Sequence, residues 1–208
     1  LQIARASGVK LSDAVLARGI QWLTRYQAQE LEELRNAPAK KDPYKTKADN
    51  LDAFILMVLT DADAKSPEML EALYRDRVDL AVYSKAMLGL ALKKLGEREK
   101  LEMIMKNIEQ FLVQDDENQT AYLKLPGDNY WWNWYGSEYE AQAYYLKLLA
   151  ASDPKSDKAS RLVKYILNNR KHATYWNSTR DTALCIEAMA EYLKASGEDK
   201  PDMTVAIK

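Results

Sequence analysis

The sequence predicts an all-α fold built from helical hairpins, and three observations carry that prediction. Apolar residues recur at helical spacing in nearly every segment, as in Leu51, Phe54, Ile55, Val58 and Leu59, where increments of 3, 1, 3 and 1 build one stripe. Glycine (7) and proline (6) make 13 of 208 residues, about 6 per cent and half the ~12 per cent of average proteins, too few turn formers for a sandwich or barrel. A short pattern also recurs: Trp134-Tyr135-Gly136-Ser137 leads into Glu140-Ala141, and Tyr175-Trp176-Asn177-Ser178 leads into Asp181-Thr182-Ala183. Glu140 and Asp181 lie 41 residues apart and Trp134 and Trp176 lie 42 apart, a period that means one helical hairpin per repeat.

Eight helices follow from caps and stops. The first runs from about Ser12, a good N-cap, to about Arg35, with Val15, Ile20, Trp22, Leu23 and Tyr26 as its expected buried face. A polar loop with Pro38 and Pro43 precedes the second, about Lys47 to Thr60. Ser66-Pro67 opens the third, a cap residue followed by the one helical position where proline costs nothing, and it ends near Arg75. The fourth, about Asp79 to Leu95, stops at Gly96, the residue that best tolerates the left-handed C-terminal conformation. The fifth is expected from Arg98 to Gln114, up to the acidic run Asp115 to Glu117. The sixth begins with a capping box, Ser137-x-x-Glu140, and ends before Asp153-Pro154. The seventh covers about Asp157 to Arg170, and the eighth about Ser178 or Thr179 to Ala195 with Gly197 as its stop.

Even-numbered helices in this series are rich in small and apolar residues, while the first, fifth and seventh carry a heavily charged face, which reads as an inner and an outer layer. An open solenoid of helix pairs and a closed ring both satisfy that alternation. The last segment differs, since Met203, Val205 and Ile207 alternate with period 2 like a strand. We therefore expect residues 1–200 to form the helical region and 201–208 to begin a following β-rich domain or linker. A chain opening on Leu1 without a leader pattern reads as a processed or excised piece of something longer.

Charge and composition exclude several classes. Thirty Lys+Arg against 31 Asp+Glu, interleaved along the whole length, leave no basic footprint for nucleic acid. The longest uncharged stretch, Asn129 to Ser137, is far short of the ~18 residues that cross a bilayer. One cysteine forms no internal disulfide.

The stretch Leu162 to Lys194, LVKYILNNRKHATYWNSTRDTALCIEAMAEYLK, resembles the last helix pair of the thioester domain of the α-macroglobulin and complement family. There an outer helix ending in a polar turn leads through an aromatic, Ser/Thr-bearing turn into an inner helix. Tyr130 to Leu149, YWWNWYGSEYEAQAYYLKLL, is similar to the preceding inner helix of bacterial members, and Asp49 to Leu59 and Tyr83 to Gly96 resemble two earlier ones. The resemblance implies an α/α toroid, the ring shared with terpenoid cyclases and protein prenyltransferases, of about six helix pairs, about four of them present here. It also implies a Cys-x-Glu-Gln thioester in the family, a motif that does not map onto this chain. Cys185 is followed by Ile186-Glu187-Ala188, and Lys40 to Asp49 contains no match for the family's histidine.

Candidate ligand-binding residues are aromatic. Tyr130, Trp131, Trp132, Trp134 and Tyr135, with Trp176 in the repeated turn, suit stacking on a sugar or peptide at the mouth of a ring, or pinning of a loop over it. His172, Asp181 and Cys185 are zinc-type residues, but the spacing of Asp181 and Cys185 departs from the prenyltransferase pattern, and core packing accounts for Cys185. Asp61-Ala62-Asp63 lacks the adjacent acids of a cyclase, and Gln21-Trp22 occurs once. Glu138, Glu140 and Asp181 could project two carboxylates into a ring, although helix capping accounts for Glu140 and Asp181.

Together these features imply a non-enzymatic domain of an α-macroglobulin-like endopeptidase inhibitor of bacterial type, periplasmic, envelope-anchored or secreted, with no cofactor and no metal. Its expected partners are neighbouring β-sandwich domains and target proteases. The alternatives are an α/α-ring carbohydrate-active enzyme using the Trp-rich loop 130–135 and a helical protein-binding module.

Overall fold

The structure, a computed structural model, describes residues 1–125 and 137–200. Among these the chain is mainly helical, with α1 Gln2–Ala6, α2 Asp13–Asn36, α3 Asn50–Asp61, α4 Pro67–Arg75, α5 Val82–Leu95, α6 Arg98–Glu109, α7 Glu138–Ser152, α8 Asp157–Asn168 and α9 Thr179–Ser196. A short hairpin, β1 Leu112–Asp115 and β2 Thr120–Leu123, completes the set, paired antiparallel from Leu112↔Leu123 to Asp115↔Thr120. The strand-like segment 201–208 lies outside the described residues.

The all-α class holds, and most boundaries fall where caps and glycines put them. Gly96 and Gly197 end α5 and α9 with φ of 77° and 84°, a conformation in which a Cβ would be strained. The fifth expected helix is corrected: it stops at Glu109, and Leu112 to Gln114 belong to β1. The acidic run is the turn of the hairpin. Asp115 accepts from the Asn118 backbone N–H at 3.0 Å and its side-chain amide at 2.7 Å, and Gln119 takes a φ of 53°. Asn118 and Gln119 supply turn chemistry that apolar periodicity does not register.

The chain divides into two compact units, Leu1–Ile104 and Met105–Lys208. In the first, α3 and α5 form the tightest pair, with α2 and α4 packed on α3 and on each other. Leu56, Leu59, Leu88 and Leu92 are buried at its centre, each apolar side chain contributing about 1.5–3 kcal/mol over an exposed one. In the second, α7 and α9 form the tightest pair, and α8 packs on β2 and α7. Ala141, Ala143 and Ala188 are fully covered, small side chains that let helices approach closely. α8 turns only Ala159, Leu162 and Ile166 inward, a 3–4 stripe on an otherwise polar helix.

One expectation about burial changes. The expected core face of α2 is not buried: Val15 and Trp22 are exposed and Ile20, Leu23 and Tyr26 are half-covered, whereas Gln27 and Glu30 are its buried residues. The buried residues of this helix lie in its second half alone. α9 is covered on one side alone, by Asp181, Cys185, Ala188 and Tyr192, while Ile186 and Leu193 face outward.

Candidate functional site

The strongest concentration of buried polar chemistry in the second unit lies where α7 and α9 begin. Ser137 and Ser178 are extended N-caps, and the hydroxyl of each accepts the backbone N–H three residues on, Glu140 and Asp181 respectively, at 3.0 Å. In a simple capping box each acid would then return to its own cap. Here the acids are exchanged between helices. The Ser137 hydroxyl donates to Asp181, and the Arg180 guanidinium donates to Glu140. Only the serine half of the expected Ser137-x-x-Glu140 box forms, because the carboxylate gains more from a full positive charge than from a backbone amide.

This clasp is nearly dry on its acidic side: Glu140 is 2% exposed and Asp181 is also buried, while Arg180 reaches solvent. Burial pushes the Glu140 carboxyl above the usual range, against the pull of Arg180 and the Ser137 cap. Its Oε2 has no hydrogen-bond partner among the described residues. Further along the pair, Lys147 reaches Glu187 at 2.6 Å and Glu191 at 3.2 Å. Glu138, the third candidate carboxylate, accepts from the Tyr165 hydroxyl at 2.9 Å. Glu140 and Asp181 are thus engaged across the helix pair in positioning the two helix starts.

A second cluster, which the sequence reading missed, lies at the start of α3. Lys45, 7% exposed, places its Nζ 2.5 Å from Glu30, 2.7 Å from Asp52 and 3.0 Å from Asp49. Asp49 and Asp52 also form a complete capping box, with Asp49 accepting from Leu51 and Asp52 and Asp52 accepting from the Asp49 N–H. Burial alone would lower Lys45, but hydrogen bonds to Asp52, Glu30 and Asp49 overcome it and hold the ammonium above the ordinary lysine range. Asp52 is raised by burial, against its hydrogen bond with Lys45. The only signal in the sequence was Asp49-x-x-Asp52, and nothing local joins it to Glu30.

The surrounding loops are tied to the same end of the unit. The Ala48 N–H donates to Asp76 at 2.8 Å, Lys47 pairs with Asp79 at 2.6 Å, and the Ala81 N–H donates to Asn50 at 2.9 Å. Buried Lys85 donates to the carbonyls of Leu80 and Val78. A cleft of about 420 Å³ between α2 and α4 is lined by Leu31, Leu34 and Ala72 with Arg35, Glu68 and Arg75, and its guanidiniums are already paired, Arg35 with Glu68 and Arg75 with Asp76.

Of the aromatic candidates, Tyr130, Trp131, Trp132, Trp134 and Tyr135 lie outside the described residues. Trp176 is buried at 3% exposure, its indole N–H donating to the Ile166 carbonyl at 3.0 Å and its backbone N–H to Thr182 at 3.1 Å. It packs the α8–α9 turn onto the end of α8, so its ring is not offered to a ligand. His172 is exposed and stacks on Tyr175 at 4.3 Å. Cys185 is fully buried and its thiol is pushed up to about 12 by burial, with Asp181 adding to the effect, so the thiol is held protonated and away from the thiolate that a nucleophile requires. Among the described residues no group of three or more His, Cys, Asp or Glu side chains is arranged to hold a metal ion. No protein-family model matches the chain, and no curated protein matches it.

Proposed function

We propose that this chain is a non-catalytic, conformational part of an α-macroglobulin-like protease trap. The observation that carries the reading is the behaviour of the segment with the family resemblance. Leu162 to Lys194 folds as a helix, a turn sealed by buried Trp176 and capped by Ser178, and a second helix packed on α7. In this reading α3, α5, α7 and α9 are inner helices of an α/α ring and α8 is an outer one. Cys185 is inert and buried, so the chain itself contributes no reactive thiol. Lys45, fixed among three carboxylates, lies in the loop Lys40 to Asp49 that precedes α3 and holds no match for the family's histidine. The domain then acts through its packing against β-sandwich neighbours in the envelope or outside the cell, with proteases as the targets of the parent protein.

The test is a trapping assay on the parent protein. After incubation with an endopeptidase, the enzyme should lose activity on a large protein substrate while keeping it on a small peptide ester. Equal activity on both substrates, with and without the parent protein, would sink the proposal.

A further inference from the structure

We propose that residues 1–26 form a surface that docks the protein onto an anionic lipid bilayer. None of these 26 residues is buried, in contrast to the second half of α2, where Gln27 and Glu30 are enclosed. Leu1, Ile3, Val9, Val15 and Trp22 are all exposed, Trp22 at 62%. Two contacts make the patch continuous. The Gln2 side-chain amide donates to the Val58 carbonyl at 3.1 Å, which seats α1 on α3, and Arg5 lies 3.7 Å from Asp13 at the first turn of α2.

The order along α2 gives the surface its character. At 100° per residue, Leu16, Ile20, Leu23, Gln27 and Glu30 share the stripe turned to the rest of the unit, and Val15, Gly19 and Trp22 form a neighbouring exposed stripe that ends on half-covered Tyr26. Trp22 and Tyr26 stack there at 5.5 Å. Arg18 and Arg25, seven residues apart, flank this stripe on the side away from the core. An aromatic and aliphatic stripe edged by arginines is the pattern of a helix lying in a bilayer interface, where the indole sits at headgroup depth and guanidiniums meet phosphates.

Charge separation favours a lipid surface over a single acidic partner. Residues 1–26 carry Arg5, Lys10, Arg18 and Arg25 against Asp13 alone, a formal +3, which leaves the remaining residues at −4 from the total of −1. An extended negative plane attracts the first region through this charge, whereas the remaining residues carry the opposite sign. The exposed apolar groups are also spread over two helices and the segments that flank α1, which suits a fluid plane better than a groove. No helix of the described residues is long and apolar enough to cross a membrane, and lying on the surface requires none.

The experiment is flotation of the full chain with vesicles of phosphatidylcholine, with and without about a third phosphatidylglycerol. Binding is expected only with the anionic lipid, and should fall at least fivefold in about 0.5 M salt, where exposed charges are screened within a few ångströms. R18E/R25E should lose tenfold or more and W22S several-fold, with unchanged circular dichroism because neither change touches a buried residue. K155E/K171E alters net charge equally at exposed positions elsewhere and should bind as wild type. Equal binding to both vesicle types, or equal loss in K155E/K171E, overturns the proposal. So does retention on poly-glutamate beads without vesicle binding, which would assign the patch to an acidic protein.

Discussion

The starts of α3 and of the α7–α9 pair solve the same problem in opposite ways. Each opens with a cap residue followed three positions later by an acid, and in each the acid is buried: Asp52, Glu140 and Asp181. At α3 the acid closes a box on its own cap, and a lysine from the preceding loop neutralises the group. At α7 and α9 the acids cross between helices, Asp181 to Ser137 and Glu140 to Arg180. The first arrangement fixes a loop to a helix; the second fixes one helical repeat to the next. A cap-x-x-acid signature therefore marks a helix start reliably, while the burial and neighbours of the acid decide what it holds together.

Breaking the α3 cluster should give the largest effect. Lys45→Met leaves three carboxylates facing one another, one of them almost fully enclosed, and should cost about 3–5 kcal/mol at pH 7 by urea unfolding. Asp52 has a folded value above its unfolded one, so its charged form costs stability at neutral pH and that cost is withdrawn as pH falls through the folded value. The K45M deficit should accordingly shrink as the pH falls through the raised Asp52 value. A deficit that grows on acidification would mean that Lys45 acts through packing and that the electrostatic contrast between the two regions is mistaken.

The exchanged clasp is wetter on its cationic side, and its effects are smaller. Arg180→Met should cost about 1–2 kcal/mol at pH 7, discounted because the guanidinium reaches solvent. Glu140 is also raised in the folded state, so this cost too should decrease as the carboxyl protonates. Glu140→Gln, which removes the buried charge together with its partner's role, should lie within about 1 kcal/mol of wild type. R180M and E140Q costs of equal size and equal pH dependence would place the clasp with ordinary surface pairs.

Ser137→Ala removes a cap and the bond to Asp181, at about 1–2 kcal/mol. A double-mutant cycle with Asp181→Asn should reveal coupling of about 0.5–1 kcal/mol, and strict additivity would show that the two helix starts do not communicate. The smallest expected effect is on Cys185. With its thiol raised to about 12, native protein at pH 8 should resist iodoacetamide and label only on unfolding, so its rate of modification should follow urea.

Much of the molecule was legible as sequence. The helix starts at Ser137 and Ser178, the stops at Gly96 and Gly197, and the core position of Cys185 came from residue type and spacing alone, and the structure keeps them. The hairpin was not legible, since four-residue strands carry too few positions for a period, and a buried amide sets one of them. Gln142 accepts from the Leu123 N–H at 2.9 Å and donates to its carbonyl at 2.8 Å. Trp176 read as a surface aromatic because its repeat partner Trp134 sits in a dense aromatic run, yet it is the plug of the α8–α9 turn. The expected core stripe of α2 failed for a different reason. Periodicity reports that a face is apolar and is silent on whether anything covers it, as Val15 and Trp22 illustrate.

The sequence by itself determined the helices and their ends, because helix hydrogen bonds and caps join residues no more than about four apart. Tertiary structure alone decided which acid meets which cation and which apolar stripe is enclosed. Those pairings span 15 residues for Lys45 and Glu30, 40 for Arg180 and Glu140 and 44 for Ser137 and Asp181, separations at which only the packing of α2 on α3 and of α7 on α9 brings the groups within reach.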